Sequence, residues 1–223
     1  NFFQFQKQNQ TLNSFNYQWR HLNDGRLLLT DDNFKKNVTK HILSYTKLRK
    51  KWFFKKMILD LGSGNGRFSY GLLNLKCKLT IFDQSKDALT EAQKNLKPFK
   101  FKRKIGNILD ETIRFNNKFD MVWCYGVVHH TGNVKLALNN IKKFLKQGGY
   151  LFLMIYGEPS LNSDYTEVNQ YTYLRNKTKK LNFKEKQDFL TENYPKNIIH
   201  TLFDAISPSI NELYTFDEIK LIL

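Results

Sequence analysis

The stretch from Met57 to Arg67 constrains the fold more than any other part of the chain, and it reads Met-Ile-Leu-Asp-Leu-Gly-Ser-Gly-Asn-Gly-Arg. Its apolar opening predicts a buried strand, because adjacent apolar residues bounded by glycines suit a parallel sheet covered on both faces. The three glycines that follow allow a sharp turn and a close approach of the backbone to a ligand. The helical pattern beginning at Arg67 would point its N-terminal amides at that ligand. The stretch therefore predicts a loop for a nucleotide-type cofactor.

The spacing of these glycines argues against two common nucleotide loops. A dinucleotide loop, with the pattern G-x-G-x-x-G, needs a third glycine at position 67, where this chain has Arg67. A P-loop would end in Gly-Lys-Ser or Gly-Lys-Thr, which is absent. Taken alone, the glycine triplet could also be an ordinary tight turn between a strand and a helix, so the rest of the chain must decide.

Strands and helices alternate over the middle of the sequence. Apolar runs predict five strands at Met57–Leu61, Lys78–Asp83, 100–105, Phe119–Cys124 and 150–156, with Gln147-Gly148-Gly149 as the turn into the last. Ser85 and Asn133 are predicted to cap two of the intervening helices. This alternation predicts an α/β fold: a doubly wound, Rossmann-like, mostly parallel sheet flanked by helices.

The flanking sequence suggests further divisions. We predict an N-terminal helical and aromatic cap over residues 1–50, a cofactor-binding core over 51–156, a helical lid or substrate insertion over 157–214, and the start of a C-terminal part of the core over 215–223. Residues 1–10 are rich in Gln, Asn and Phe, and we assign them no firm structure. The aromatic cluster from Phe15 to Trp19 is either an apron packed on the domain or a strip covering the cofactor.

Charge and composition limit the partners. A formal net charge of +16 invites a nucleic-acid interpretation. However, residues 1–156 hold 28 basic against 10 acidic residues, whereas residues 157–214 hold 7 against 8. The main basic runs, Lys47–Lys56 and Lys94–Lys104, precede predicted strands, which places them at the amino ends of a parallel sheet, away from the ligand crevice. We therefore interpret them as solvated faces, with an RNA-binding back face as the alternative.

The remaining composition indicates a cytoplasmic protein. No apolar run is long enough to cross a bilayer and no signal peptide is visible, so no membrane partner is predicted. The only cysteines, Cys77 and Cys124, lie in apolar settings, which argues against a disulfide framework and favours a reducing compartment. The oligomeric state is not predicted.

Polar residues follow two of the predicted strands. Asp83 ends the second strand, where an acidic residue can bind both ribose hydroxyls of an adenosine. The same aspartate could instead cap the next helix together with Ser85. Asn107 follows the third strand, where its side-chain carbonyl could accept a hydrogen bond from an adenine amino group while Ile108 packs on the ring.

Taken in order, these motifs resemble those of class I S-adenosylmethionine-dependent methyltransferases. The resemblance covers roughly residues 50–156 and runs through Asp60–Gly66, Asp83-Gln84-Ser85, Gly106-Asn107-Ile108, Phe119–Cys124 and Gly148–Leu151. Gly126–Thr131 is similar to the Gly-Val-Leu-His-His-Thr segment of a methyltransferase type 11/12-like subgroup. The family implies S-adenosylmethionine as cofactor and S-adenosylhomocysteine as product. It further implies a seven-stranded sheet, of which this chain is expected to lack the last strands.

The resemblance also implies the residues that bind the cofactor. Gly62, Ser63 and Gly64 would line its methionine and ribose part. Asp83 would hold the ribose, and Asn107 and Ile108 would hold the adenine. The remaining residues implied are Asp60, Gly66, Gln84, Cys124 and Tyr125, with the backbone near the last two binding the methionyl amine. The family usually has Asp at position 107, so Asn107 keeps an acceptor but loses a charge.

Two histidines are the predicted catalytic residues. His129 and His130 follow the fourth strand, beside the expected methyl position, where one could accept a proton from the methyl acceptor. A structural histidine bonded to a backbone carbonyl is the alternative for each. Weaker candidates for the base are Tyr125, Tyr156, Glu158 and His200. No cluster has metal-ligand spacing, and no metal is predicted.

Three functions follow from this sequence. The first is methyl transfer to a hydroxyl or amine of a small metabolite or sugar, which the near-neutral insertion favours. The second is modification of tRNA at the wobble uridine, because the paired histidines also resemble that class and the chain is basic. The third is a truncated cofactor-binding remnant without activity.

Overall fold

The computed structural model describes residues 2–158 and 165–223. Its centre is a parallel five-stranded sheet with strand order β3-β2-β1-β4-β5. The strands are β1 (Met57–Leu61), β2 (Lys78–Asp83), β3 (Lys102–Ile105), β4 (Phe119–Tyr125) and β5 (Leu145–Met154). The α/β parallel fold predicted from the sequence is confirmed.

Helices flank the sheet and continue beyond it. They are α1 (Phe2–His21), α2 (Asp32–Thr46), α3 (Lys50–Phe53), α4 (Arg67–Asn74), α5 (Lys86–Asn95), α6 (Val134–Phe144), α7 (Tyr165–Thr178), α8 (Phe183–Asn193), α9 (Ile199–Ile206) and α10 (Phe216–Ile222). Both predicted caps are present, since Ser85 Oγ accepts from the amide of Ala88 and Asn133 Oδ1 accepts from the amide of Leu136.

The core explains why β1 is central. Its residues Ile58 and Leu59 are fully buried, because helices cover both faces of a parallel sheet. On one face, α2 and α4 pack against a cluster that includes Trp123 of β4, whose ring stacks on Phe152 at a centroid distance of 3.9 Å. On the other face, α6 and α10 pack over Leu59.

The structure departs from the prediction at the start of the chain. Residues 2–10, which were assigned no firm structure, form the first half of α1, and Asn1 lies outside the described residues. The physical reason is tertiary, because the amide side chains of this half bond to distant backbone carbonyls. Gln4 Nε2 donates to Gly132 O at 2.8 Å, and Gln8 Nε2 donates to Thr131 O at 3.0 Å.

The fifth strand also begins earlier than expected. It starts at Leu145 rather than at Tyr150, so the predicted turn at Gln147-Gly148-Gly149 lies within the strand. There the pairing with β4 slips, since Phe119 faces Leu145 while Met121 faces Tyr150. Gly148 has a φ of +69°, which favours glycine. The two glycines therefore mark an irregularity within β5, between two segments that pair with β4, and not a turn before the strand.

The topology places a crevice at the carboxyl ends of the strands. From β1 the chain winds outward to β2 and β3 and then returns to β4 on the other side, which makes β1/β4 the switch point where ligands bind in such sheets. Lysine side chains lie at the opposite edge, where the strands begin, and Lys56 belongs to one of the basic runs. Near the start of β4, Asp120 is approached by Lys56 Nζ at 3.6 Å and by Lys146 Nζ at 3.0 Å.

The helices after β5 form their own apolar cluster. Leu174 of α7, Leu190 of α8 and Phe203 of α9 are buried together. These helices belong to the segment 157–214, of which residues 159–164 lie outside the described residues. The division of the chain at positions 50, 156 and 214 stays a prediction. No helix in the described ranges is long and apolar enough to cross a membrane.

Candidate active site

A cavity of about 620 Å³ lies at the carboxyl ends of β1, β2, β4 and β5. This volume is within the range of about 300–1,000 Å³ that small-molecule sites occupy. The glycine loop after β1 forms one side of the cavity, and residues of α1, α7 and α9 contribute to the other walls. The site is therefore built from segments that are far apart in the sequence.

The glycine loop has no room for side chains at two positions. Gly62 and Gly64 have φ values of +69° and +53°. A Cβ on Gly62 would stand 2.2 Å from Val127 Cγ2, and one on Gly64 would stand 2.6 Å from the indole of Trp19. Both the backbone conformation and the close packing thus require glycine.

Asp83 ties the end of β2 to this loop. Its Oδ2 accepts from the amide of Gly64 at 2.9 Å, and its Oδ1 accepts from the amide of Ser85 at 2.8 Å. The carboxylate is buried and lines the cavity. Burial raises its pKa, an effect that these backbone N–H bonds partly offset. Each oxygen retains a lone pair for a ligand, so the capping and ligand-binding interpretations are compatible.

Asp60 is a second buried carboxylate in the wall. Ser69 Oγ donates to its Oδ2 at 2.5 Å. The pKa of Asp60 is raised to about 7, mainly by burial and also by the nearby charge of Asp83, while the Ser69 bond and the charge of Arg67 oppose the shift. Neither carboxylate has a salt bridge to a basic side chain of the described residues. This end of the cavity therefore favours a cationic ligand.

The loops after β2 and β3 complete this end of the cavity. Gln84, Asn107 and Ile108 all line it. Asn107 Oδ1 already accepts from the amide of Leu109 at 2.9 Å, so only one of its lone pairs remains for a ligand. The loop after β3 is anchored to α6, where the buried Asn140 donates to Ile108 O at 2.8 Å.

Most of the residues implied as cofactor-binding lie together. Those that line the cavity are Asp60, Gly62, Ser63, Gly64, Asp83, Gln84, Asn107, Ile108 and Tyr125. Two lie behind its wall. Gly66 precedes α4 and packs towards Leu96, and Cys124 is fully buried within β4. The roles of all these residues stay predictions.

Two aromatic residues of α1 cover the cavity. Phe15 and Trp19 are four residues apart, which places them on one face of the helix. Phe15 meets the ring of His130 edge-on at 5.0 Å, and Trp19 lies over Gly64, with its ring 5.0 Å from that of His200. The aromatic cluster is thus both packed on the domain and part of the cavity wall.

The paired histidines have different surroundings. His130 lines the cavity, and its Nδ1 lies 2.8 Å from Ile210 O. Because a carbonyl only accepts, Nδ1 carries the proton in the neutral ring, and Nε2 presents a lone pair. This Nε2 is buried without a partner among the described residues. His129 instead packs between the rings of His130 and Tyr156, with centroid distances of 4.1 and 4.0 Å.

Burial keeps both histidines neutral near pH 7. It lowers the pKa of His130, an effect that Asp204, the Ile210 bond and Glu212 oppose, and it lowers the pKa of His129 well below the ordinary value. His200 behaves likewise, since burial lowers its pKa to about 4. Both of its nitrogens are bonded, Nδ1 to Leu22 O at 2.6 Å and Nε2 to Gln18 Nε2 at 3.1 Å.

The structure places Asp204 and Arg175, which the sequence analysis did not propose as site residues, beside the candidate base Tyr156. Tyr156 donates its hydroxyl to Asp204 Oδ2 at 2.8 Å, and both side chains line the cavity. Arg175 lies on the same wall and donates from both Nη atoms to Pro208 O, at 2.9 and 2.6 Å. A signal for Asp204 was present, since it is the single carboxylate in the helix Ile199–Ile206, whose other residues apart from His200 and Thr201 are apolar.

The weaker candidates for the base divide clearly. Tyr125, Tyr156 and His200 line the cavity, whereas Glu158 is exposed outside it. Burial raises the pKa of Tyr125, and the charge of Asp204 together with burial raises the pKa of Tyr156, so both phenols stay protonated. Within the described ranges, no three His, Cys, Asp or Glu side chains are grouped to hold a metal ion.

Comparison with known proteins shows to which protein family this chain belongs. The family described as "Methyltransferase domain" matches residues 55–204. A "Ubiquinone biosynthesis O-methyltransferase" of Glaesserella parasuis is 28% identical over 117 residues, which cover 50% of this chain and 50% of that protein. A "tRNA U34 carboxymethyltransferase" of Campylobacter curvus is 31% identical over 107 residues, which cover 44% of this chain and 34% of that protein.

Solved structures share the fold. The N-methyltransferase NodS of Bradyrhizobium japonicum, crystallised with S-adenosyl-L-homocysteine, matches with a TM-score of 0.51 at 21% identity, covering 64% of this chain and 71% of that one. At this identity the likeness concerns the fold alone. The chain spans about half the length, or less, of the curated relatives described above.

Proposed function

Since this chain belongs to the methyltransferase domain family, we propose that it binds S-adenosylmethionine and transfers the methyl group to a hydroxyl or amine of a small metabolite or sugar. The family match confirms the resemblance on which the prediction was based. The observation that carries the proposal is the cavity of about 620 Å³ at the carboxyl ends of the strands, which is lined by carboxylates and by acceptor atoms without partners among the described residues.

The cofactor fits the carboxylate end. Asp60 and Asp83 are buried there without a salt bridge to the described residues, and S-adenosylmethionine is cationic at its sulfonium and its amine. Asp83 would accept from the ribose hydroxyls, Ile108 would pack on the adenine, and the glycine loop would approach the methionine part. Ser63 Oγ, buried without a partner in the described structure, offers a further bond. When bound, the cofactor supplies an activated methyl group.

The chain's own residues would then position the acceptor and remove its proton. Transfer from a sulfonium is an in-line displacement, so alignment supplies much of the acceleration. His130 Nε2 faces the cavity with a lone pair and no partner among the described residues, which suits a proton acceptor. Phe15 and Trp19 cover the site and would exclude water.

Calorimetry with S-adenosylmethionine tests the proposal. We expect saturable binding at one site per chain, because the carboxylate end and the glycine loop are already formed. Transfer of a labelled methyl group to a library of small hydroxyl and amine compounds would then show activity. Binding without transfer to any of them would favour the remnant interpretation, and absence of binding would exclude both the enzyme and the remnant.

Modification of tRNA is the second candidate. It is supported by the Campylobacter curvus relative and by the surplus of 18 basic residues, 28 against 10, over residues 1–156. Binding of unfractionated tRNA that weakens steeply between about 50 and 200 mM salt is the expected signature of several phosphate contacts. No binding at the lower salt concentration would rule this candidate out. The basic edge lies opposite the cavity, which favours the first candidate.

A further inference from the structure

The acceptor half of the cavity presents hydrogen-bond acceptors rather than donors at three positions. The first is His130 Nε2, whose tautomer is fixed by the bond between Nδ1 and Ile210 O. The atom is buried and has no partner in the described part of the chain. As long as the ring is neutral, a bound molecule can therefore form a hydrogen bond with His130 Nε2 only through a donor group.

The second position is the phenolic oxygen of Tyr156. Its single hydrogen is committed to Asp204 Oδ2 at 2.8 Å. A carboxylate cannot return a hydrogen, so the oxygen offers only lone pairs to the cavity. The ring is also fixed in place, since it packs on His129 at 4.0 Å and meets His130 edge-on at 5.8 Å. Tyr156 and His130 follow the adjacent strands β5 and β4, which puts their polar atoms on one wall.

The third position is Asn211, the residue after the carbonyl that holds His130. Its Oδ1 is buried without a partner among the described residues, and the side chain lines the cavity. The carboxylate of Asp204, which accepts the hydrogen bond from Tyr156, adds a negative charge to this wall of the cavity. Two cations line the cavity. Arg175 directs both of its Nη atoms to Pro208 O, and the Arg67 guanidinium lies over the rings of Phe68 and Tyr125.

We propose that the methyl acceptor presents a primary amine to His130 Nε2, Tyr156 Oη and Asn211 Oδ1. This inference rests on the proposed function and narrows its acceptor from a hydroxyl or amine to an amine. A hydroxyl brings one hydrogen, so at least one of the two buried atoms that have no partner among the described residues, His130 Nε2 and Asn211 Oδ1, would stay unbonded. A primary amine brings two hydrogens, or three when protonated. Each buried acceptor left unbonded lowers affinity by roughly tenfold or more.

The same atoms would act during transfer. The bound ammonium gives one proton to His130 Nε2, which exposes the nitrogen lone pair. The nitrogen then forms its bond to the methyl carbon while the carbon–sulfur bond breaks and its electron pair goes to sulfur. The methylated nitrogen carries the positive charge, which Asp204 stabilises through Tyr156, and His130 releases its proton to water. Charge that develops on nitrogen thus meets a pre-arranged anion.

Paired probes test this inference. Benzylamine and benzyl alcohol, and 2-amino-2-deoxyglucose and glucose, differ in an amine against a hydroxyl at one position. Their dissociation constants would be measured calorimetrically on the chain saturated with S-adenosylhomocysteine and on the chain alone. We expect each amine to bind at least tenfold more tightly than its hydroxyl partner. Equal or tighter binding of the hydroxyl compounds, or no binding of either amine, would overturn the inference.

Variants separate recognition from structural effects. Tyr156→Phe and Asn211→Leu are each expected to reduce the amine preference at least threefold, whereas Asn211→Asp, which keeps an acceptor oxygen, should retain it. Tyr173→Phe is the matched control, since Tyr173 is 61% exposed and lies outside the cavity. An unchanged preference in Tyr156→Phe and Asn211→Leu would contradict the assignment even if both variants fold normally.

The proposed function and this inference can fail separately. The proposed function would be contradicted if the wild-type chain did not bind S-adenosylmethionine, regardless of how the amine and hydroxyl probes bind. The inference about the amine would be contradicted if the chain bound S-adenosylmethionine normally but showed no preference for amines over hydroxyl compounds.

Discussion

Replacing His130 by glutamine is expected to lower turnover by about 100- to 10,000-fold, the usual contribution of a general base. Glutamine retains a polar side chain of similar length but cannot accept a proton at neutral pH. Binding of S-adenosylmethionine should stay within about threefold of the wild type, because His130 lies at the acceptor end of the cavity and the carboxylates lie at the other. Single-turnover rates and calorimetry on the same preparation measure both quantities.

The pH dependence of turnover tests whether His130 acts as the base. Burial lowers the pKa of His130 below its ordinary value of 6.5, so Nε2 stays unprotonated at neutral pH. Wild-type turnover should therefore fall only as the pH drops through that lowered pKa, where Nε2 becomes protonated, and this acidic limb should vanish in His130→Gln. His129→Gln is the matched comparison, because His129 lies behind the wall against Tyr156. Equal losses of turnover in both variants with the limb retained would point to a structural role for the pair.

Replacing Asp83 by alanine is expected to weaken S-adenosylmethionine binding by about a hundredfold, and by tenfold at the least. The carboxylate would lose charge-assisted bonds to the ribose, each contributing about 1.5–3 kcal/mol. It would also release the amide of Gly64, which it holds at 2.9 Å, so the glycine loop would lose an anchor. Titration calorimetry measures the change in affinity.

Two variants separate these contributions. Asp83→Asn keeps an oxygen for one of the backbone amides but loses the charge, so its affinity should fall between those of the wild type and Asp83→Ala. Asp87→Ala, in the first turn of α5, removes a partly exposed carboxylate whose 2.7 Å partner is Arg20, and it should leave affinity unchanged. Wild-type affinity in Asp83→Ala would remove this residue from the ribose site.

The part of the fold that was predictable from sequence is encoded locally. The strand Met57–Leu61 and the glycine loop after it rely on the burial pattern and backbone freedom of adjacent residues. The caps at Ser85 and Asn133 depend on amides only three residues away. Such signals do not depend on distant partners, and the order of the strands and the position of the crevice therefore follow from the sequence.

The parts that escaped prediction depend on distant partners. The first half of α1 mixes exposed phenylalanines with amide side chains and has no buried apolar stripe. The amide side chains of Gln4 and Gln8 are bonded to carbonyls more than 120 residues away. The pairing of Tyr156 with Asp204 spans 48 residues and an intervening pair of helices.

The attachment of α1 has a consequence for the order in which the protein is built. Gln10 Nε2 donates to Ser207 O at 2.9 Å, and Thr11 Oγ1 accepts from the amide of Ile210 at 3.0 Å. These bonds join residues 197 and 199 positions apart in the sequence. All five strands of the described sheet have been synthesised once Met154 has left the ribosome. By then α1 can already bond to Ser85, Thr131 and Gly132, but its bonds to Ser207 and Ile210 must wait for those residues. A nascent chain would thus carry its sheet and cofactor residues, with α1 attached on one side, before the wall contributed by α9 and the segment after it completes the cavity.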